Sequence, residues 1–246
     1  MKIDYNQQAF NYERTRTIEP IVYSILSCML TPQKDEAILD FGCGTGNYLK
    51  QFSIDYGIEV YGIEPSVKMR KIAQEKLQSD HILAGDHTAI PFSNIRFNKL
   101  YSTDVVHHID HLDLLFQNLF KISNNGAKFC ICTESSDQLK EKYWLKYFPS
   151  ILSIDQKRFH PIEEVIRIGE NAGWVHRETV KTETQITASI SGTFLERIRQ
   201  KSLSVLNLIS SEEYQYGVSL METDYQNQVL LHQNEGYTFI LFERKS

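Results

Sequence analysis

Paired cysteine motifs, long apolar runs and an excess of basic charge are all missing from this sequence, and each absence removes a class of protein. The four cysteines, Cys28, Cys43, Cys130 and Cys132, show no C-x-x-C spacing, so reduced thiols are expected rather than a zinc site or a disulfide framework. No stretch approaches the roughly 20 apolar residues needed to cross a bilayer, and the opening Met-Lys-Ile-Asp-Tyr-Asn has no apolar signal core. A soluble, cytoplasmic protein without membrane contact is the expectation. With 26 basic and 31 acidic residues the net charge is -5, which offers no general attraction to phosphate backbones and makes nucleic acid an unlikely partner. Internal repeats and low-complexity tracts are also lacking.

What remains is an ordinary globular composition, 41% hydrophobic and 23% charged over 246 residues. That length suits a single domain, here 1–246, with an N-terminal cap over 1–30 and an insertion at about 186–233. The chain is organised around Ala37–Gly46, Ala-Ile-Leu-Asp-Phe-Gly-Cys-Gly-Thr-Gly. A short apolar run without polar alternation suits a strand buried on both faces. Gly42, Gly44 and Gly46 suit a turn that approaches a ligand closely. A helix pattern follows from Asn47, so backbone N–H groups gather at the carboxyl end of a sheet, where nucleotide-like ligands bind.

The spacing is G-x-G-x-G with Asp40 two residues ahead, and Asn47 stands where the dinucleotide fingerprint would place its last glycine. This pattern resembles motif I of the class I S-adenosylmethionine-dependent methyltransferases. The resemblance implies that the turn, with Gly42, Gly44 and Gly46, wraps the methionine half of the cofactor, and that Asp40 helps hold its cationic amino group. Cys43 reads as a small residue beside the ligand in preference to a reactive nucleophile.

Later segments extend the resemblance. Glu59–Glu64 reads as a second strand, and Glu64 closes it roughly 20 residues past the turn, where a carboxylate can accept from ribose hydroxyls; Pro65 beside it is counted with the cofactor contacts. Ser66 is available to cap the next helix. Asp86 ends a third strand over 81–86 and His87 opens the loop behind it, and the resemblance implies that they read the adenine. The fourth strand, 97–104, ends in Ser102 and Thr103, which would lie beside the cofactor. His107 would face the methyl acceptor, as a general base or as a structural histidine. His107, His108 and His111 lack the H-E-x-x-H pattern, and no metal is expected.

Before the first strand, Ile18–Leu30 repeats apolar residues at three and four, an amphipathic helix. In its leader Tyr12 and Arg16 are one helical turn apart, and the resemblance implies a segment that folds over the cofactor. A helix with the stripe Leu112, Leu115, Phe116 and Leu119 is expected to stop near Gly126, followed by a buried strand over 127–133. Aromatics crowd Gln138–His160, as core or as the wall of an acceptor pocket. Pro161–Gly173 reads as a helix, 174–184 as a strand and 236–243 as the last strand. Between them lie two helical patterns, one from Phe194 to Ile209 and one opened by Ser210 with Glu213 three residues on, a capping box.

The fold expectation is therefore an α/β, doubly wound, Rossmann-like sheet with helical lid insertions; the resemblance adds seven strands with the last antiparallel. The implied activity is methyl transfer from S-adenosyl-L-methionine to a small-molecule or short-peptide acceptor. A non-catalytic S-adenosylmethionine-binding or regulatory protein of the same fold is the alternative. A nicotinamide oxidoreductase is disfavoured by the glycine spacing.

Overall fold

The computed structural model describes residues 17–245. In chain order its elements are α1 (Pro20–Leu30), β1 (Ala37–Phe41), α2 (Asn47–Tyr56), β2 (Glu59–Ile63), α3 (Val67–Leu77), β3 (Ile82–Leu83), β4 (Phe97–Thr103), α4 (Leu112–Lys121) and β5 (Ser123–Thr133). There follow α5 (Ser136–Lys140), α6 (Ser150–Arg158), α7 (Ile162–Asn171), β6 (Trp174–Lys181), β7 (Thr184–Ala188), α8 (Gly192–Arg199), α9 (Ser211–Gln226), β8 (Leu231–Glu235) and β9 (Thr238–Arg244). Among the described residues no helix is long and apolar enough to cross a membrane. The chain divides into two compact units, one of Thr17–Thr133, His160–Val180 and the strand from Thr238, the other of Glu134–Phe159 and Lys181–Tyr237.

The first unit is built on a seven-stranded sheet in the order β3-β2-β1-β4-β5-β9-β6. Strands β3 to β5 pair in parallel and β9 runs antiparallel to β5, the expected doubly wound arrangement with an antiparallel last strand. Side chains alternate between its faces. Leu39, Phe41, Ile63, Leu100, Phe129 and Ile131 pack against Leu115 and Phe116 of α4 and Val165 of α7, each such burial contributing about 1.5–3 kcal/mol. The opposite face carries a row in which Asp40 sits across from Gly62 and from Tyr101, and Tyr101 across from Cys130. That face is covered by α2, whose Phe52 ring lies 5.3 Å from Tyr101, and by α1, whose Met29 sulfur lies 3.8 Å from Cys130 Sγ. A polar residue, Asp40, is thus built into an otherwise apolar layer.

The sheet departs from the sequence expectation at three strands. The third strand is only two residues long, because the chain from Gly85 turns through the paired residues Asp86 and Ala89. The fifth begins at Ser123, and α4 stops at Lys121 rather than near Gly126. Asn124, Asn125 and Gly126 are absorbed into that strand where its register with β4 shifts, since a bulge accommodates turn-forming residues as well as a loop does. The sixth strand ends at Lys181.

The second unit has its own core, in which Tyr147, Phe148 and Ile151 meet Leu195, Ile198, Leu206 and Met221. The stretch 186–233 is not purely helical: β7 and β8 pair antiparallel from Thr184 opposite Glu235 to Ala188 opposite Leu231. The single helix expected from Phe194 to Ile209 is broken, with α8 ending at Arg199, Lys201 at φ 49° and a short 3-10 turn over Ser204–Asn207. Ser210 does cap α9 by accepting from the Glu213 amide at 3.1 Å, but the Glu213 carboxylate does not complete a capping box. It accepts instead from the Ser150 amide and hydroxyl, a tertiary partner that outcompetes the local one. The aromatics of 138–160 divide: Tyr147 and Phe148 are core residues, whereas Tyr143 and Trp144 are half-buried.

Candidate functional site

The glycine turn leaves β1 after Phe41. Gly42 and Cys43 both donate their amides to the Ile63 carbonyl, at 2.9 and 3.1 Å, and Gly46 donates to Cys43 at 2.9 Å. All three glycines lie in the left-handed region, Gly42 at φ 81°, Gly44 at 54° and Gly46 at 76°, which L side chains rarely adopt. Space is closed as well: a Cβ on Gly42 would lie 2.5 Å from Val105, and one on Gly46 3.2 Å from Ala73. Cys43 is buried with its sulfur against Gly62, where a Cβ would come within 2.7 Å of it. Burial pushes its thiol well up, so the side chain packs and is a poor nucleophile.

Glu64 ties the turn to the end of β2. One carboxylate oxygen accepts from the Gly44 amide at 2.9 Å and the other from the Ser66 amide at 2.8 Å. Ser66 caps α3 by accepting from Met69 at 3.3 Å, as its place in the sequence predicted. Pro65 between them is exposed. Burial raises the Glu64 carboxyl, opposed by those two amides and by Arg70. Arg70 itself donates to the Glu64 carbonyl at 2.7 Å.

Asp40 lies beneath the turn, 2% exposed, and its Oδ1 has no hydrogen-bond partner among the described residues. Burial pushes its carboxyl up to about 8; the Tyr101 hydroxyl opposes the shift and Glu64 adds to it. A buried carboxyl with an unmade bond is costly. A cationic group arriving there would supply both the missing donor and the counter-charge, so the residues present fit a ligand with an ammonium group.

Asp86 is exposed and accepts through Oδ1 from the Thr88 amide, the Thr88 hydroxyl and the Ala89 amide, at 2.8, 2.6 and 3.2 Å. Its carboxyl lies below the usual range, chiefly because of the Thr88 hydroxyl. The His87 carbonyl accepts from Asn118 at 2.9 Å. On the fourth strand Ser102 is buried and donates to the Phe41 carbonyl at 2.9 Å, locking β4 to β1, while Thr103 is half-buried at the strand end. Asp104 then takes φ 57°, a left-handed turn that sends the chain into the 3-10 turn Val106–His108. His107 is half-buried there, its ring 4.0 Å from that of His108. His160 holds the turn by its Nε2 contact of 2.9 Å with the Ile109 carbonyl. Among the described residues no three His, Cys, Asp or Glu side chains are grouped to hold a metal.

Asp40, Gly42, Cys43, Gly44, Gly46 and Glu64 are therefore brought together, whereas Asp86, His87, Thr103 and His107 follow β3 and β4. Tyr12 and Arg16 lie outside the described residues. Sequence reasoning missed Tyr101, fully buried with a hydroxyl that has no partner among the described residues. The available signal was a phenol inside an inner strand whose register sets it across from the motif acid. It also missed Lys76, which donates to the Asn47 carboxamide and, at 3.5 Å, to Thr45, tying α3 to the start of α2.

Residues 39–131 match the family model for the methyltransferase domain. Over these residues the chain is similar to methyltransferases. Its match to an uncharacterized methyltransferase of Anoxybacillus flavithermus is 38% identical over 87 residues, 35% of this chain and 41% of that protein. The chain thus spans well under two thirds of such a relative. Among solved structures, the chain resembles a protein of Anabaena variabilis described as a methyltransferase from an antibiotic biosynthesis pathway, with TM-score 0.71 and 22% identity over 92% of this chain and 98% of that one. The chain also resembles phosphoethanolamine N-methyltransferase 2 of Haemonchus contortus in complex with phosphomonomethylethanolamine and S-adenosylhomocysteine, with TM-score 0.60 and 20% identity over 98% of this chain and 58% of that one. At these identities the structural likeness is one of fold.

Proposed function

We propose that the protein binds S-adenosylmethionine at the glycine turn and transfers its methyl group to a small-molecule or short-peptide acceptor. The observation that carries this reading is the buried Asp40 carboxyl, whose Oδ1 has no hydrogen-bond partner among the described residues and which lies beneath a turn of left-handed glycines. Two acids at the base of the turn, Asp40 and Glu64, favour a cationic ligand and disfavour the pyrophosphate of a nicotinamide cofactor. The complex of the Haemonchus contortus relative with S-adenosylhomocysteine supports the same cofactor.

When bound, S-adenosylmethionine supplies an electrophilic methyl carbon on a sulfonium. Around it, Asp40 holds the ammonium group and the turn from Gly42 to Gly46 presents backbone to the methionine half. Glu64 accepts from the ribose hydroxyls; each of its oxygens already takes one amide and has a further lone pair to offer. Pro65 borders the ribose, Cys43 and Thr103 line the ligand, and Asp86 with the His87 amide reads the adenine. His107 stands on the acceptor side and takes a proton from an acceptor that must lose one. Positioning of donor and acceptor with exclusion of water supplies the rest.

Calorimetric titration with S-adenosylmethionine, S-adenosylhomocysteine and NADH tests the cofactor. Binding of NADH alone would replace the reading with oxidoreduction. Transfer of a labelled methyl group to a panel of small molecules and short peptides then tests activity, and binding without turnover across that panel would favour the non-catalytic alternative. With an acceptor in hand, His107→Ala should lower turnover by about 100-fold, the scale of general-base catalysis, and leave S-adenosylmethionine affinity unchanged. Loss of affinity with unchanged turnover per bound cofactor would put His107 on the cofactor side.

A further inference from the structure

Beneath the turn two polar atoms, Asp40 Oδ1 and Tyr101 Oη, have no hydrogen-bond partner among the described residues. Their residues are register partners on β1 and β4 and share one face of the sheet. Both are almost wholly inaccessible, at 2% and 0% exposure. The groups near them on every packed element add little compensation. Glu64 at the end of β2 is a second acid, engaged by the Gly44 and Ser66 amides. In the turn the Cys43 thiol is held neutral by burial. On α2 the Tyr48 hydroxyl accepts from the Glu19 amide at 3.2 Å. The cation of α3, Arg70, donates to the Glu64 and Pro65 carbonyls. An ionised Asp40 would therefore be a buried charge without a counter-ion, which a protein avoids by keeping the acid protonated.

We propose that binding of a ligand ammonium group at the turn expels the proton from Asp40, and that Tyr101 is the positioning residue whose hydroxyl then donates to the carboxylate formed. This rests on the cofactor reading above. The Asp40 O–H bond breaks, its proton passes to the buffer, and the ligand keeps its own ammonium proton and becomes the counter-charge. Tyr101 keeps its proton, since burial and the neighbouring Asp40 charge hold its ionisation well above the usual phenol range. The Tyr101 hydroxyl, which already works against the raised Asp40 carboxyl, thereby gains a charged acceptor when the ligand is bound. The raised Asp40 carboxyl, at about 8, agrees with a site that is neutral until filled.

The test is titration of the full chain with S-adenosylhomocysteine at pH 6.5, in buffers of different ionisation enthalpy, with 5′-methylthioadenosine as the probe that keeps the nucleoside and lacks the ammonium group. About one proton should be released per S-adenosylhomocysteine bound, and none with methylthioadenosine. The affinity for S-adenosylhomocysteine should rise about tenfold per pH unit below the Asp40 value and level off above it. Asp40→Asn should abolish both the proton release and the pH dependence. Tyr101→Phe should still release the proton, but bind several-fold more weakly at pH 6.5 and level off at higher pH. Proton-neutral binding of S-adenosylhomocysteine would overturn the inference while leaving the cofactor reading intact, and an unchanged pH profile in Tyr101→Phe would remove that residue from it. Failure of both probes to bind would overturn the cofactor reading and the inference with it.

Discussion

The buried acids of the two units are partnered differently. In the second unit, buried or half-buried acids find donors: Asp155 pairs with Arg158 at 2.9 Å, Glu213 takes the Ser150 amide and hydroxyl, and Asp224 takes Lys146 and the Tyr147 hydroxyl at 2.6 and 2.8 Å. In the first, Asp40 and Tyr101 keep polar atoms without partners among the described residues, next to a turn of three left-handed glycines. Unsatisfied polar groups cost stability, so a fold that keeps them has a use for them elsewhere. The contrast sets Asp40 apart from the three acids of the second unit as the one whose Oδ1 lacks a donor among the described residues.

The largest expected effects come from two glycines that serve these different ends. Gly42→Ala places a Cβ 2.5 Å from Val105 at φ 81°, and Gly217→Ala places one 2.3 Å from the Phe148 ring, where α9 meets the aromatic core. Each should cost about 2–4 kcal/mol in chemical denaturation. S-adenosylhomocysteine affinity of the folded fraction should be lost in the first variant and retained in the second. Equal loss in both would erase the distinction between the units.

A narrower comparison uses two carboxylates that each bridge two donors. Glu64→Ala should weaken cofactor affinity by about 1.5–3 kcal/mol, the scale of bonds to a charged acceptor, and should also loosen the turn because the Gly44 and Ser66 amides lose their acceptor. Glu213→Ala should lower stability by about 1–2 kcal/mol and leave affinity alone. Unchanged affinity in Glu64→Ala would remove it from the site.

The pH dependence of stability separates the units again. Asp40 at about 8 holds in the folded, ligand-free protein a proton that the unfolded chain has already released above about pH 4. Its contribution is complete below that pH and is lost as pH rises through about 8, with a slope of at most about 1.4 kcal/mol per pH unit. Thermal melts should therefore show wild type losing stability over this window relative to Asp40→Asn; parallel curves would mean that Asp40 does not titrate there. The smallest effect belongs to a surface pair, Arg199 and Glu222, 2.8 Å apart with side chains 49% and 36% exposed. Arg199→Ala should cost less than about 1 kcal/mol, and a larger loss would show that the second unit depends on charge as well as packing.

Much of the first unit was legible in sequence because its signals are local. Buried strands, the glycine triplet and Glu64 at the end of β2 each follow from residue type and spacing, and Ser66 caps the helix where its position requires. Less was legible where a tertiary contact overrides a local preference. Glu213 left its capping box for Ser150; Gly126 entered a bulged strand instead of ending a helix. Strands β7 and β8 pair across some forty residues of intervening chain, a distance over which no periodicity carries information.

By itself the sequence determined the doubly wound sheet and the placing of a ligand turn after β1, because apolar periodicity and glycine spacing act within a few residues. Only the tertiary structure decided that the aromatics at 147 and 148 build a second core and that Glu64 grips the turn through the Gly44 amide. It also decided that Asp40 shares its buried face with Tyr101. The physical reason is common to all three: burial and hydrogen-bond partnership depend on which strands and helices become neighbours, and β1 meets β4 only after about sixty residues of chain have folded back.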